Sequence, residues 1–326
     1  MTRAAPFALA AFVLAPCSAL AEAPRLGLPL SCEIGKTCWV QQYADHDPSG
    51  AVKDYACGSQ TYDGHDGTDI RVRDATSIAD VIAAAAGTVK AVRDGVGDRL
   101  IRSEADREAV VDRECGNGVL ISHGDGWETQ YCHLRQGSVS VKAGDTISLG
   151  QKLGEVGYSG MAEFPHVHLA LRKDGKNVDP FRSAGGDAGC GAPQNPLWTD
   201  EVLAALTYNR SNVIGQGFAP GAVKLQALED GTIEAAAPTA GWPAMVAYMW
   251  AINLEKGDTI TVTFDGPDGI SAMTDVTLDR AKAQYMLFAG KKRPAGGWPK
   301  GLYRGRVVIS NAGTARISQE WQSAIQ

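Results

Sequence analysis

Long apolar runs are missing from this chain after its opening residues. Beyond position 21 no stretch of about 20 apolar residues occurs, which excludes a helical membrane span and leads us to expect a soluble mature protein. No basic stripe occurs either, so nucleic acid is not an expected partner. Helical periodicity is almost absent from residues 61–182. Histidine and cysteine are both lacking after Cys190, so neither a metal site nor thiol chemistry is expected in residues 191–326. What is present is ordinary for a globular protein, with 44% apolar and 21% charged residues. At 326 residues the chain is too long for one small core, so two domains are expected.

Residues 1–21 are set aside as a secretory signal. Arg3 supplies the positive start, Phe7 to Leu14 the apolar run, and Ala19-Leu20-Ala21 the small-x-small cleavage site. Cys17 invites lipid attachment, but Pro16 before it is a poor residue for that processing. Cleavage after about Ala21 is expected, giving a secreted or periplasmic protein. Loss of Arg3 takes the formal net charge from −6 to −7. It also removes Cys17 and leaves six cysteines. In an exported chain an even number suggests disulfides, with 15 pairings open. Cys32–Cys38 is plausible from proximity and Cys115–Cys132 because the two flank a hairpin. Cys57–Cys190 is what remains, and free buried thiols are the weaker option.

Residues 22–60, with Pro24, Pro29, Pro48 and Gly35, read as an irregular, disulfide-pinned arm. Residues 61–182 read as short strands of an antiparallel sheet. Gly118 to His123 and Glu128 to His133 flank Gly124-Asp125-Gly126, a hairpin signal. Residues 94–114, rich in Arg, Asp and Glu, interrupt the pattern as a solvated loop or short helix, or as a wall or lid over a site. Residues 183–200 hold Gly185-Gly186, Gly189, Gly191, Pro193 and Pro196 and read as a linker. In residues 201–326, Thr259 to Phe264 alternates with period two and Tyr303 to Ile309 less cleanly, which suggests a small β-sandwich. Trp242, Trp250, Trp298 and Trp321 could line a glycan or peptide surface, although core packing is the commoner use. The expected fold class is all-β.

The chemistry gathers in three motifs. In Pro165-His166-Val167-His168 a strand would send both imidazoles to one face, where a metal or substrate would explain them. In Gly64-His65-Asp66-Gly67-Thr68-Asp69 the glycines argue against a helix, and a turn can fold His65 and Asp69 inward. Tyr131-Cys132-His133-Leu134 lies between. One imidazole from His65, one carboxylate from Asp69 and one imidazole from the His166/His168 pair supply three N/O ligands. Zinc held by three such ligands keeps its fourth position for water, the arrangement of a catalytic site. The remaining histidines can then accept a proton or donate to an oxyanion. Tyr131 is a further donor or a packing residue. His123 reads as a turn residue and His46 as a solvated one.

These motifs resemble the lysostaphin-type, LytM-like zinc metallopeptidases, with H-x-x-x-D, an intermediate histidine and H-x-H in order over about residues 60–182. The glycine-rich run from Gly144 to Gly160 is similar to the segment that precedes H-x-H in that family. The resemblance implies that His65, Asp69 and His168 bind Zn2+ and that His133 and His166 assist catalysis. It also implies a β-rich fold with a groove and cleavage of peptide crosslinks or bridges in peptidoglycan. Two departures stand out. Val167 and Leu169 replace the commoner Leu and Phe, and Cys132 beside His133 would tether that strand through a disulfide. The expectation is a zinc endopeptidase domain followed by a β-sandwich, with any protein partner placed on the C-terminal domain. The rival is a LytM-like protein that binds the wall or activates a partner hydrolase without cleaving anything itself.

Overall fold

A computed structural model describes residues 23–183, 191–233 and 236–326. The expected signal at 1–21, its cleavage point and Cys190 lie outside the described residues. The chain is nearly all β, with 45% strand against 6% helix and antiparallel sheets throughout, as its alternating patterns and turn residues suggest.

The first unit contains β1 (Cys38–Gln42), β2 (Thr68–Val72), β3 (Asp80–Ile82), β4 (Gly87–Arg93), α1 (Glu104–Glu108), β5 (Asn117–Gly124), β6 (Trp127–Leu134), β7 (Thr146–Ile147), β8 (Lys152–Glu155), β9 (His166–Lys173) and β10 (Lys176–Val178). The main sheet runs β1-β2-β9-β6-β5-β4-β7, with β10 joined to β9 and a separate β3-β8 pair. Asp125 and Gly126 take φ of 42° and 75°, the left-handed geometry that a tight β5-β6 turn needs. Val167, Leu169 and Leu171 of β9 point into the core at 0% exposure. Strand alternation therefore puts His166 and His168 together on the opposite face.

The arm is less irregular than its prolines suggest. Its middle forms β1, which pairs with β2 and is closed at its start by the Cys32–Cys38 disulfide. Cys115–Cys132 joins the segment before β5 to β6. Cys57 is also disulfide-bonded. The segment read as a linker returns to the first core. Leu197 and Trp198 are buried in it, and the Leu26 amide donates to the Leu197 carbonyl at 2.7 Å. Helix α2 (Asp200–Ala205), capped by Thr199, packs there too through Val202 and Leu203, as does Tyr208 beyond it. Glycine and proline set the chain's path here, but an apolar pair between them still finds the core.

The second core therefore begins with β11 (Asn212–Ala219), not at residue 201. After α3 (Leu225–Glu229) come β12 (Ala244–Leu254), β13 (Asp258–Asp265), β14 (Ser271–Thr277), β15 (Lys282–Lys292), β16 (Gly301–Asn311) and β17 (Thr314–Ile325). Sheet β11-β12-β15 faces sheet β14-β13-β16-β17 across one apolar core, a sandwich. Strand β12 is buried on both faces. Met245, Ala247, Met249 and Ala251 fill the sandwich, whereas Val246, Tyr248, Trp250 and Ile252 pack outward with Trp39 of β1. The four tryptophans flagged in the sequence serve packing. Trp250 and Trp298 are buried, and Trp242 and Trp321 lie against the sandwich core. Among the described residues, no helix is long and apolar enough to cross a membrane.

Candidate metal centre

Strand order builds the site. Strand β9 lies between β2 and β6, and the register places Asp69 opposite His168. His65, in the turn before β2, folds back over Asp69. His65 Nε2, Asp69 Oδ1 and His168 Nδ1 form a triangle with sides of 3.2, 3.1 and 2.9 Å. Tetrahedral zinc with N and O ligands at about 2.0–2.1 Å would separate neighbouring donors by about 3.3 Å. The triangle is thus close to the size that such an ion needs, and its donor chemistry suits one. All three side chains are buried.

Each imidazole is fixed by a bond from its other nitrogen. His65 donates from Nδ1 to the Tyr43 carbonyl at 2.6 Å, which leaves Nε2 for the triangle. His168 donates from Nε2 to Asp66 at 3.1 Å, which leaves Nδ1. Asp66 is held in turn by Arg172 at 3.2 Å. The bond from His168, and then the charges around it, hold the Asp66 carboxyl down at about 2 despite its burial. Burial works against charge on His168, but its bonds to Asp66 and Asp69 push its pKa up. Burial likewise opposes ionisation of Asp69, and the imidazoles of His65 and His166 overcome it and hold the group well below the usual carboxylate range. A buried carboxylate among imidazoles has the charge and the donors to take a cation.

His133 and His166 flank the triangle without joining it. Their rings are 4.5 Å apart, and His166 Nε2 is 3.6 Å from Asp69 Oδ1. Each donates from Nδ1 to a carbonyl, His133 to Ser159 at 2.8 Å and His166 to Phe164 at 2.7 Å, so both Nε2 atoms carry a lone pair. Burial lowers both pKa values, and for His133 the neighbouring His166 and His168 add to the effect. Burial thus favours the neutral, basic form of both rings. His133 takes a φ of 64°, costly for a residue with a Cβ. The Cys115–Cys132 disulfide and a 2.9 Å bond from the His133 amide to the Cys115 carbonyl hold it there.

Other residues fall elsewhere. Tyr131 packs in the core, its hydroxyl accepting from the Ala84 amide at 2.8 Å. His123 lies within β5, not in the turn, and its Nδ1 donates to the Ala86 carbonyl at 2.7 Å. His46 is not simply solvated, since its Nε2 lies 2.7 Å from Asp179. A cleft of about 530 Å3 beside His65 is lined by Asp45, His46, Asp63, Asp66 and Asp179. A larger cavity of about 740 Å3, between Trp39, Arg73, Ile214 and Tyr248, contains none of the clustered side chains. The charged segment 94–114 includes α1 and ties to the stretch before His166. Ile101 donates to the Ala162 carbonyl, Met161 to that of Glu114, and Arg107 pairs with Glu163.

Sequence reading missed the supports. Asp66 stands between two singled-out residues, but three aspartates share that turn and spacing alone does not choose among them. The carbonyls of Tyr43, Ser159 and Phe164 carry no side-chain signal, because every residue has one.

Part of this chain is similar to known proteins. The model of Peptidase family M23 matches residues 63–180. The peptidoglycan DD-endopeptidase ShyA of Vibrio cholerae is 37% identical over 68 residues, 21% of this chain and 15% of that protein. The cell division protein DipM of Caulobacter vibrioides is 42% identical over 71 residues, 20% of this chain and 11% of its own length. The chain thus spans only a small part of the curated relatives it matches. The catalytic domain of the prophage-encoded M23 protein EnpA from Enterococcus faecalis overlaps 50% of this chain and 98% of its own at 24% identity and a TM-score of 0.33. The strand that carries H-x-H, the turn that carries H-x-x-x-D and the matched span coincide: residues 63–180 form a domain of peptidase family M23.

Proposed function

We propose that the protein is a zinc-dependent endopeptidase that hydrolyses peptide crosslinks or bridges of peptidoglycan outside the cytoplasm. The observation that carries this reading is the convergence of His65 Nε2, Asp69 Oδ1 and His168 Nδ1 within 3.2 Å of one another, beside two imidazoles whose Nδ1 atoms are each bonded to a backbone carbonyl. His65, Asp69 and His168 are the zinc ligands. When bound, zinc supplies Lewis acidity, polarising a carbonyl and lowering the pKa of water to about 7. The chain does the rest. Asp66 keeps Nδ1 of His168 turned to the ligand triangle. His133 and His166, neutral at Nε2, take up the proton released in attack and, once protonated, donate to the oxyanion or leaving amine. The cleft beside His65 admits an extended peptide, and export through the segment ending near Ala21 brings the protein to its substrate.

The test is turnover. The purified protein should release new termini from crosslinked muropeptides, read by mass spectrometry, and a chelator should stop it. Zinc binding without cleavage across a panel of crosslinks would favour a regulator of another hydrolase.

A further inference from the structure

A fully buried arginine lies two residues from Asp69 on the same face of β2. Arg71 is 0% exposed and has no carboxylate among its hydrogen-bond or ion-pair partners in the described residues. Its three nitrogens donate to neutral oxygens: Nε to the Val72 carbonyl at 3.1 Å, Nη1 to Gln41 Oε1 at 2.6 Å and Nη2 to the Arg73 carbonyl at 2.9 Å. Burying such a charge is costly unless something else compensates. Two aromatic rings face it, and the charges of Glu229 and Asp74 also favour its charged form. The guanidinium carbon lies 5.0 Å from the centroid of Phe164 and 5.1 Å from that of Trp250. Trp250 belongs to β12 of the second unit and is 1% exposed.

Phe164 is the residue that orients His166. Its carbonyl takes the His166 Nδ1 proton at 2.7 Å, and its ring lies 4.4 Å from the imidazole. Arg71 and His166 are also register partners on β2 and β9. Trp250, Arg71, Phe164 and His166 thus form one continuous stack from the sandwich to the site. An apolar side chain could fill the same volume without the desolvation cost. A planar cation adds a fixed orientation, since three directed bonds set the plane against which Phe164 rests.

We infer that Arg71 is a positioning residue: braced by Trp250 of the second unit, it fixes Phe164 and thereby the tautomer and direction of the His166 imidazole. The C-terminal sandwich is on this account part of the support of the site. The inference rests on the proposed role of His166.

The test uses the full chain and four variants, Arg71→Met, Trp250→Leu, Trp250→Phe and His166→Ala. Zinc content, kcat and KM on a crosslinked muropeptide, and the imidazole Nδ1–H resonance of His166 in nitrogen-edited NMR are measured. The last variant assigns that resonance by its loss. Arg71→Met and Trp250→Leu should keep their zinc and hold KM within about two-fold. They should lower kcat by about ten-fold or more and lose or broaden the resonance. Trp250→Phe, which retains an aromatic face, should lie closer to the parent than Trp250→Leu. Unchanged kcat and resonance in folded variants would overturn the inference, as would loss of zinc in step with kcat. If Arg71→Met does not fold, Trp250→Leu decides. If the parent protein cleaves nothing, the function reading fails, and the His166 resonance still reports on Arg71.

Discussion

Asp66 and His168 are 102 positions apart in the chain, and the imidazole donates from Nε2 to the carboxylate at 3.1 Å. That bond fixes which ring nitrogen of His168 faces Asp69. Asn in place of Asp66 can accept the same bond but brings no charge. Asp66→Asn should weaken zinc binding by about 10–100-fold, as is usual for a lost supporting carboxylate. Titration against a chromophoric chelator checks this, and an unchanged affinity would mean that the triangle sets its own geometry.

Gly67 brings the backbone close against His168. A Cβ there would lie 2.6 Å from His168 Cε1, 2.7 Å from its Nε2 and 2.6 Å from the Leu169 carbonyl. Backbone and a fixed ring cannot both yield. Gly67→Ala should destabilise the fold by about 1–3 kcal/mol. It should also cut zinc content, measured by elemental analysis of the purified variant.

His133 lies outside the ligand triangle, so its loss should separate binding from chemistry. His133→Ala should retain zinc yet lower kcat by about 10²–10⁴-fold, the usual weight of a general acid or base. The substitution also relieves little of the backbone cost, because Ala at a φ of 64° is strained as well. Metal analysis and steady-state kinetics on the same preparation give the answer.

The disulfide beside His133 should matter to both stability and turnover. Cys115 and Cys132 are 17 residues apart, and opening a loop of that size costs about 3 kcal/mol in the chain-entropy account. The double variant Cys115→Ser with Cys132→Ser should denature at lower urea concentration. It should also turn over more slowly, since the left-handed backbone at His133 loses its clamp. Equal activity in folded protein would show that the His133 amide bond to Cys115 suffices.

Metal removal should be reversible. Dialysis against a chelator should abolish peptide cleavage and lower the melting temperature, since a ligand that binds only the folded state stabilises it. Added zinc should restore both.

How legible the molecule was differs from element to element. The period-two runs of β13 and β16 and the Gly124-Asp125-Gly126 turn are local, so their strands could be read directly. β1 could not, because its pairing with β2 is a long-range contact and its neighbourhood is rich in proline and glycine. Leu197 and Trp198 were passed over for the same reason: a buried apolar pair in a glycine-rich stretch looks like linker until the core it fills is known. Strand β12 gave no alternation to read, since it is covered on both faces.

The sequence by itself determined which residues are candidates for the chemistry. His65, Asp69, His133, His166 and His168 are local motifs whose donor types admit few uses, and their order along the chain is enough to recognise the family. Tertiary structure decided which nitrogen of each imidazole is free, which aspartate of the turn supports His168, and that a tryptophan from the second unit reaches Arg71 beside the site. Those facts depend on backbone carbonyls and on contacts between distant strands. No residue's identity encodes them, because every residue offers the same carbonyl and strand pairing is settled only when the whole sheet forms.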